Sequence, residues 1–147
     1  MIAKGDPAPD FEAPLADGTT LKLSSLRGTP VVLYFYPQAD TPGCTIESKG
    51  FRDYYGEFQA AKVHVVGVSV DDVTAQDAFA GKYSLPFPLV ADTSKSVAGS
   101  YGVLGNGGRA RRVTFLIDSR GKVLDVVDTR DALQHVARAR EVLLGKK

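Results

Sequence analysis

Six consecutive apolar and aromatic residues, Val31-Val32-Leu33-Tyr34-Phe35-Tyr36, stand between Pro30 and Pro37. A short, unbroken run of β-branched and aromatic types reads as a strand buried on both faces. It is also the longest such run in the chain, far short of the roughly 20 residues that cross a bilayer. Val63–Val70 is a second run of the same kind. Thr114–Asp118 is a third, and Lys122–Val127 returns after Asp118-Ser119-Arg120-Gly121, so a hairpin is expected there. Helical spacing fills the intervals. Ile46, Phe51, Tyr54, Tyr55 and Phe58 recur every three or four residues between the first two strands. Asp72–Tyr83 reads as a second helix, capped by Asp71 or Asp72 with Pro86 beyond its end, and Ser94–Tyr101 as a shorter one. Asp131–Leu144 closes the chain, with Leu133, Val136, Ala137, Arg140 and Leu144 as its apolar stripe and Gly145 as its stop. The order is β-α-β-α, then a short strand and short helix, then β-β-α. This predicts an α/β fold with a mixed central β-sheet flanked by helices on both faces.

At 147 residues, with no repeat, low-complexity tract or linker-like stretch, residues 1–147 are expected to form one domain. The 18 Lys and Arg nearly balance 17 Asp and Glu, and the net charge of +1 argues against a nucleic-acid-binding role. Met1–Phe11 carries two prolines and two aspartates where a secretory signal needs an apolar segment, so a cytoplasmic protein without a membrane span is expected.

The chain holds one cysteine, Cys44. An intramolecular disulfide is excluded, and with only His64 and His135 beside it no metal site and no other cofactor is expected. The segment Pro37–Glu47 lies where a buried strand gives way to a helix, the edge of an α/β sheet that binds ligands. Thr41 suits the N-cap, Pro42 the first helical position, and Cys44 the first turn. Unpaired N–H groups and the positive end of the helix dipole favour an anion there. Moving a thiol from about 8.5 to about 6 needs roughly 3.4 kcal/mol, of which a helix end supplies about 0.5–1. A nearby arginine has to supply the rest. From position alone, a reactive thiol and an inert buried one both stand.

The pattern Pro37-x-x-x-Thr41-x-x-Cys44 resembles the active-site signature of peroxiredoxins, thiol peroxidases of thioredoxin-like fold. The string from Phe35 to Asp53 is similar to the bacterioferritin comigratory protein (peroxiredoxin Q) branch. Gly5–Phe11, Val66–Ser69, Phe87–Leu89 and Arg112–Asp118 extend the likeness along nearly the whole chain. The resemblance implies that Cys44 attacks a hydroperoxide as thiolate and becomes a sulfenic acid. Thr41 would hydrogen-bond the peroxide oxygens, Pro37 would shield the sulfur, and Arg112 would stabilise thiolate and transition state. Backbone N–H groups near Gly43 and Cys44 would complete the site. Glu47, one turn past Cys44, is read as the partner that aims Arg112; the other reading is a solvated helix carboxylate.

The chain departs from that branch where many members carry a resolving cysteine, five residues after the first: here stands Lys49. Phe79–Tyr83, the other usual location, has none either. The implied enzyme uses one cysteine, relies on an external thiol reductant (thioredoxin, glutaredoxin or a small thiol), and is expected to be a monomer. The competing reading is a thioredoxin-like binding or chaperone module with a non-catalytic cysteine. Gly102–Gly108 lacks the spacing of a nucleotide loop and is expected to shape the mouth of the site. His64 and His135 are expected to be structural or exposed, and Phe35, Phe51 and Phe87 to line a peroxide entrance.

Overall fold

The structure, a computed structural model, describes residues 1–146. Its elements are β1 (Glu12–Pro14), β2 (Thr20–Lys22), β3 (Val31–Phe35), α1 (Pro42–Asp53), α2 (Tyr55–Ala60), β4 (His64–Ser69), α3 (Val73–Tyr83), β5 (Leu89–Ala91), α4 (Ser96–Tyr101), β6 (Val113–Ile117), β7 (Val123–Asp128) and α5 (Ala132–Leu144).

The central sheet runs β5-β4-β3-β6-β7. β3, buried at every residue, lies at its middle, parallel to β4 and antiparallel to β6. The expected mixed sheet is therefore present. Alternation sends Val31, Leu33 and Phe35 into a core shared with Val97 and Tyr101 of α4. Val32, Tyr34 and Tyr36 go to the opposite face, against Cys44 and Phe51 of α1, Phe58 of α2, Phe79 of α3 and Val136 of α5. Each aromatic ring buried there contributes roughly 1.5–3 kcal/mol. The hairpin between β6 and β7 is closed by Asp118, whose carboxylate accepts from the N–H groups of Arg120 and Lys122 at 2.9 Å each.

Three expectations need correction. The helix read through Phe58 breaks at Tyr54, whose backbone leaves helical geometry (φ −103°, ψ 6°) while its ring lies under the Arg140 guanidinium at 3.8 Å. Asp53-Tyr54-Tyr55-Gly56 is a run of weak helix formers, so that contact outweighs continuity. The stripes are also out of phase: Ile46 is 49% and Leu133 58% exposed. The faces actually buried are Cys44, Glu47, Ser48 and Phe51 on α1, and Ala132, His135, Val136 and Ala139 on α5. Phe35 packs on the face away from Cys44. The β1–β2 hairpin escaped the sequence reading, although Asp17-Gly18 between Leu15 and Leu21 is a hairpin signal. The Asp17 carboxylate accepts from the Thr19 N–H at 2.9 Å.

Candidate active site

Where β3 ends, Pro37–Thr41 crosses to the start of α1 and is tied down on several sides. The Ala39 N–H donates to Asp71 at 2.7 Å, and Asp40 (φ +60°) is held by Lys82 at 2.9 Å and by the Tyr83 hydroxyl at 2.8 Å. Arg109 donates to the Gln38 side chain at 2.5 Å. Thr41 occupies the N-cap position, but its hydroxyl does not cap: it donates to the Gln38 carbonyl at 2.8 Å. Its lone pairs therefore remain available to accept a hydrogen bond.

Cys44 lies in the first turn of α1 with no exposed surface. Arg112 arrives from the segment just before β6, its side chain only 11% exposed. One arm of its fork, Nη2, donates to Cys44 Sγ at 3.3 Å, and the other, Nη1, donates to Glu47 Oε1 at 2.8 Å. A single planar guanidinium thus grips two groups one helical turn apart. Gly43 lets it approach: a Cβ there would stand 2.8 Å from Nη2. The structure brings Cys44, Arg112, Glu47 and Gly43 together. Pro37 shares with Arg112 the wall of a neighbouring cleft, and Thr41 sits at the mouth of the helix.

Glu47 is not a solvated carboxylate; it is 0% exposed. Its second oxygen, Oε2, has no hydrogen bond and faces His135 Nδ1 at 3.4 Å. His135 was expected to be structural or exposed, and it is wholly buried. Its Nε2 donates to the Thr129 carbonyl at 2.7 Å, which leaves Nδ1 to accept from the Thr114 hydroxyl at 2.7 Å. Burial lowers the His135 pKa and keeps the ring neutral. Burial also pushes the Glu47 carboxyl up to about 8, the nearby Arg112 charge only partly countering it. Glu47 accepts from Arg112 through Oε1, while the Thr114 hydroxyl occupies the His135 Nδ1 lone pair and Oε2 is left without a hydrogen bond. For Arg112, burial opposes the charged form, but Glu47 and Cys44 outweigh it and raise the pKa. Tyr34 and Tyr36, also raised by burial, stay protonated, bonded to Ser48 at 2.9 Å and Gln76 at 2.6 Å.

Sequence reasoning missed His135, Thr114 and Gln76. Only His135 left a trace, its spacing with Ala132, Val136 and Ala139 on one helical face. Among the described residues no three His, Cys, Asp or Glu side chains converge as metal ligands would.

A stability prediction follows from Glu47. A carboxyl whose folded pKa rises from 4.5 to about 8 binds its proton more tightly folded than unfolded. Its contribution is full below pH 4.5 and lost progressively as pH climbs to about 8. The loss is on the order of 5 kcal/mol. Urea midpoints measured from pH 5 to 9 should fall in the wild type and fall much less in Glu47→Gln. Parallel curves would refute the assignment.

The chain matches the AhpC/TSA family model over residues 4–126. A Coxiella burnetii protein named peroxiredoxin bcp is 43% identical over 129 residues, covering 83% of this chain and 85% of that protein. The chloroplastic peroxiredoxin Q of Triticum aestivum is 42% identical over 124 residues; the match spans 83% of this chain and 57% of the wheat protein's length. Among solved structures, the peroxidoxin BcpB of Mycobacterium tuberculosis superimposes with a TM-score of 0.86 at 40% identity, covering 97% of this chain and 99% of that one.

Proposed function

The chain belongs to the AhpC/TSA family and is a thiol-dependent peroxidase of thioredoxin-like fold, and we propose that Cys44 is its nucleophile and that an external thiol completes its cycle. The observation that carries this reading is the 3.3 Å hydrogen bond from Arg112 to Cys44 Sγ in the first turn of α1.

The thiolate attacks the terminal oxygen of a hydroperoxide. An S–O bond forms, the O–O bond breaks, sulfur gives up two electrons, and the alkoxide leaves and takes a proton to become an alcohol. Arg112 is set to hold the thiolate and then the charge spreading over the breaking bond. Thr41, its hydroxyl proton already given to Gln38, accepts the peroxide O–H and so orients it. The N–H groups of Gly43 and Cys44, free of intrahelical partners at the helix start, face the developing anion. Pro37 closes one side against water. Glu47 is the positioning residue that holds the guanidinium.

Since the chain has one cysteine, the sulfenic acid must be reduced from outside. Lys49, where a resolving thiol stands in many relatives of this branch, lies 6.0 Å from the Tyr83 ring centroid and offers no such chemistry. The working form is read as a monomer, with residues 1–147 as one catalytic domain. No helix among the described residues is long and apolar enough to cross a membrane. A lone reduced thiol fits the reducing cytoplasm.

Stoichiometric peroxide should add one oxygen to Cys44, read by mass spectrometry, and a thiol present in the same reaction should convert it to a mixed disulfide. Peroxide reactivity no faster than that of free cysteine would instead identify a thioredoxin-like binding module. A finer test is Gly43→Ala. The added methyl displaces Arg112 Nη2 from 2.8 Å, so kcat/KM should fall about tenfold, roughly 1.4 kcal/mol of barrier, with the thermal midpoint held or raised. An unchanged rate would mean that the guanidinium need not sit there.

A further inference from the structure

Beside the thiol lies a cleft of about 700 Å³ whose wall includes Pro37, Arg109, Arg111, Arg112 and Arg130, with Asp128 as the one carboxylate among its lining residues. In a chain whose net charge is only +1, this is a strong local concentration of cations. Arg111 is paired with Asp128 at 2.7 Å. Arg109 donates to the neutral Gln38 side chain, and Arg130 is exposed, with no side-chain hydrogen bond or ion pair among the described residues. Two guanidiniums therefore face the cleft without a neutralising partner. The volume lies within the range of small-molecule sites, about 300–1,000 Å³, and far exceeds what hydrogen peroxide needs.

Resting on the peroxidase reading, we propose that this cleft binds a low-molecular-weight thiol carrying carboxylate groups, and that this thiol reduces the Cys44 sulfenic acid. Guanidinium forks match carboxylates two bonds at a time, so Arg109 and Arg130 seat the anionic end. The thiol is then held at the wall formed by Pro37 and Arg112, the residue that also touches Sγ. Cys44 has no exposed surface, so a reductant gains from waiting at high local concentration for the sulfur to be uncovered. In the first step the thiol sulfur attacks Cys44 sulfur, an S–S bond forms, the S–O bond breaks, and hydroxide leaves with the thiol's proton as water. A second thiol molecule attacks the mixed disulfide and releases Cys44 as thiolate with a small disulfide as product. The two thiols together supply the two electrons that the hydroperoxide removed.

The test is a single-turnover experiment on protein pre-oxidised with one equivalent of hydrogen peroxide. The decay of the sulfenic acid is followed with 3-mercaptopropionate, 2-mercaptoethanol and cysteamine, each rate corrected for its thiolate fraction. At low ionic strength the anionic thiol should react about tenfold faster than the neutral one, and added salt should erase the difference. Arg109→Gln with Arg130→Gln should bring the ratio of the two within about twofold. That ratio is internal to each protein, so a loss of folded material does not imitate the effect, and the salt response of the wild type tests the idea without any variant. Equal corrected rates in the wild type, or a ratio untouched by the double substitution, would overturn the proposal. So would a carboxylate preference confined to the oxidation step, seen with a fatty-acid hydroperoxide against tert-butyl hydroperoxide. Reduction by thioredoxin but by none of the small thiols would overturn it too. If peroxide adds no oxygen to Cys44, the peroxidase reading fails first, and the mass of the protein distinguishes that outcome.

Discussion

Cys44→Ser should lower hydroperoxide reduction by about 10⁴-fold or more, to the rate of the reducing thiol alone, because a serine hydroxyl at neutral pH offers almost no anionic nucleophile. No second sulfur exists in a cysteine to take over, which makes the expected loss complete. The substitution suits the fold: an oxygen in place of sulfur still faces Arg112 Nη2, so the buried group keeps a donor. Far-UV circular dichroism and the thermal midpoint should remain close to wild type while peroxide consumption vanishes. Retained consumption would place the chemistry elsewhere.

Arg112→Leu is expected to have the second largest effect. Loss of a donor and positive charge at the reacting centre typically costs about 10²–10³-fold, roughly 2.7–4 kcal/mol of barrier. Stopped-flow measurement of the oxidation step should show it directly, with little change in the reductive step when a neutral thiol is used. Leucine also removes the cation beside buried Glu47, whose burial already favours its protonated form. The carboxyl then stays neutral to higher pH, so the loss of stability should still begin near pH 4.5 but continue to higher pH than in the wild type. Arg112→Lys should rescue little. Lysine carries its donors on one nitrogen, whereas Arg112 reaches Glu47 at 2.8 Å and Sγ at 3.3 Å from two separate nitrogens of one rigid plane. A lysine enzyme with wild-type rates would show that charge alone suffices.

The strands were legible because β3 and β4 are covered on both faces, and a strand so placed has no polar alternation to confuse its reading. Cys44's place at a helix start was legible for a related reason, since proline restricts the backbone before it and suits the first turn. The polar half of the site was legible only in part. Glu47 was read as the partner of Arg112 from its place one turn past Cys44 and from the resemblance, although the two meet across 65 residues of sequence. Thr114 meets His135 across 21 residues, a pairing with no local signature. These same groups explain why the helical stripes were misread. Apolar periodicity counts Ile46 and Leu133 as inward residues, yet the faces that turn inward carry Glu47, Ser48 and His135, which are affordable there only because distant partners meet them. Arg112 was identified through family resemblance, and its geometry depends on Gly43, whose missing side chain leaves the necessary space.

A sulfur that is both solitary and sealed has an experimental use apart from catalysis. Any thiol-specific probe that labels this chain must label Cys44, and only in the fraction of molecules in which its sulfur has momentarily been uncovered. Labelling kinetics then behave as amide exchange does, with two limits. A slow reagent reads the equilibrium between closed and open forms, and a fast one reads how often the sulfur is uncovered. The cysteine is thus a native clock for motion around the thiol, readable without introducing a label site.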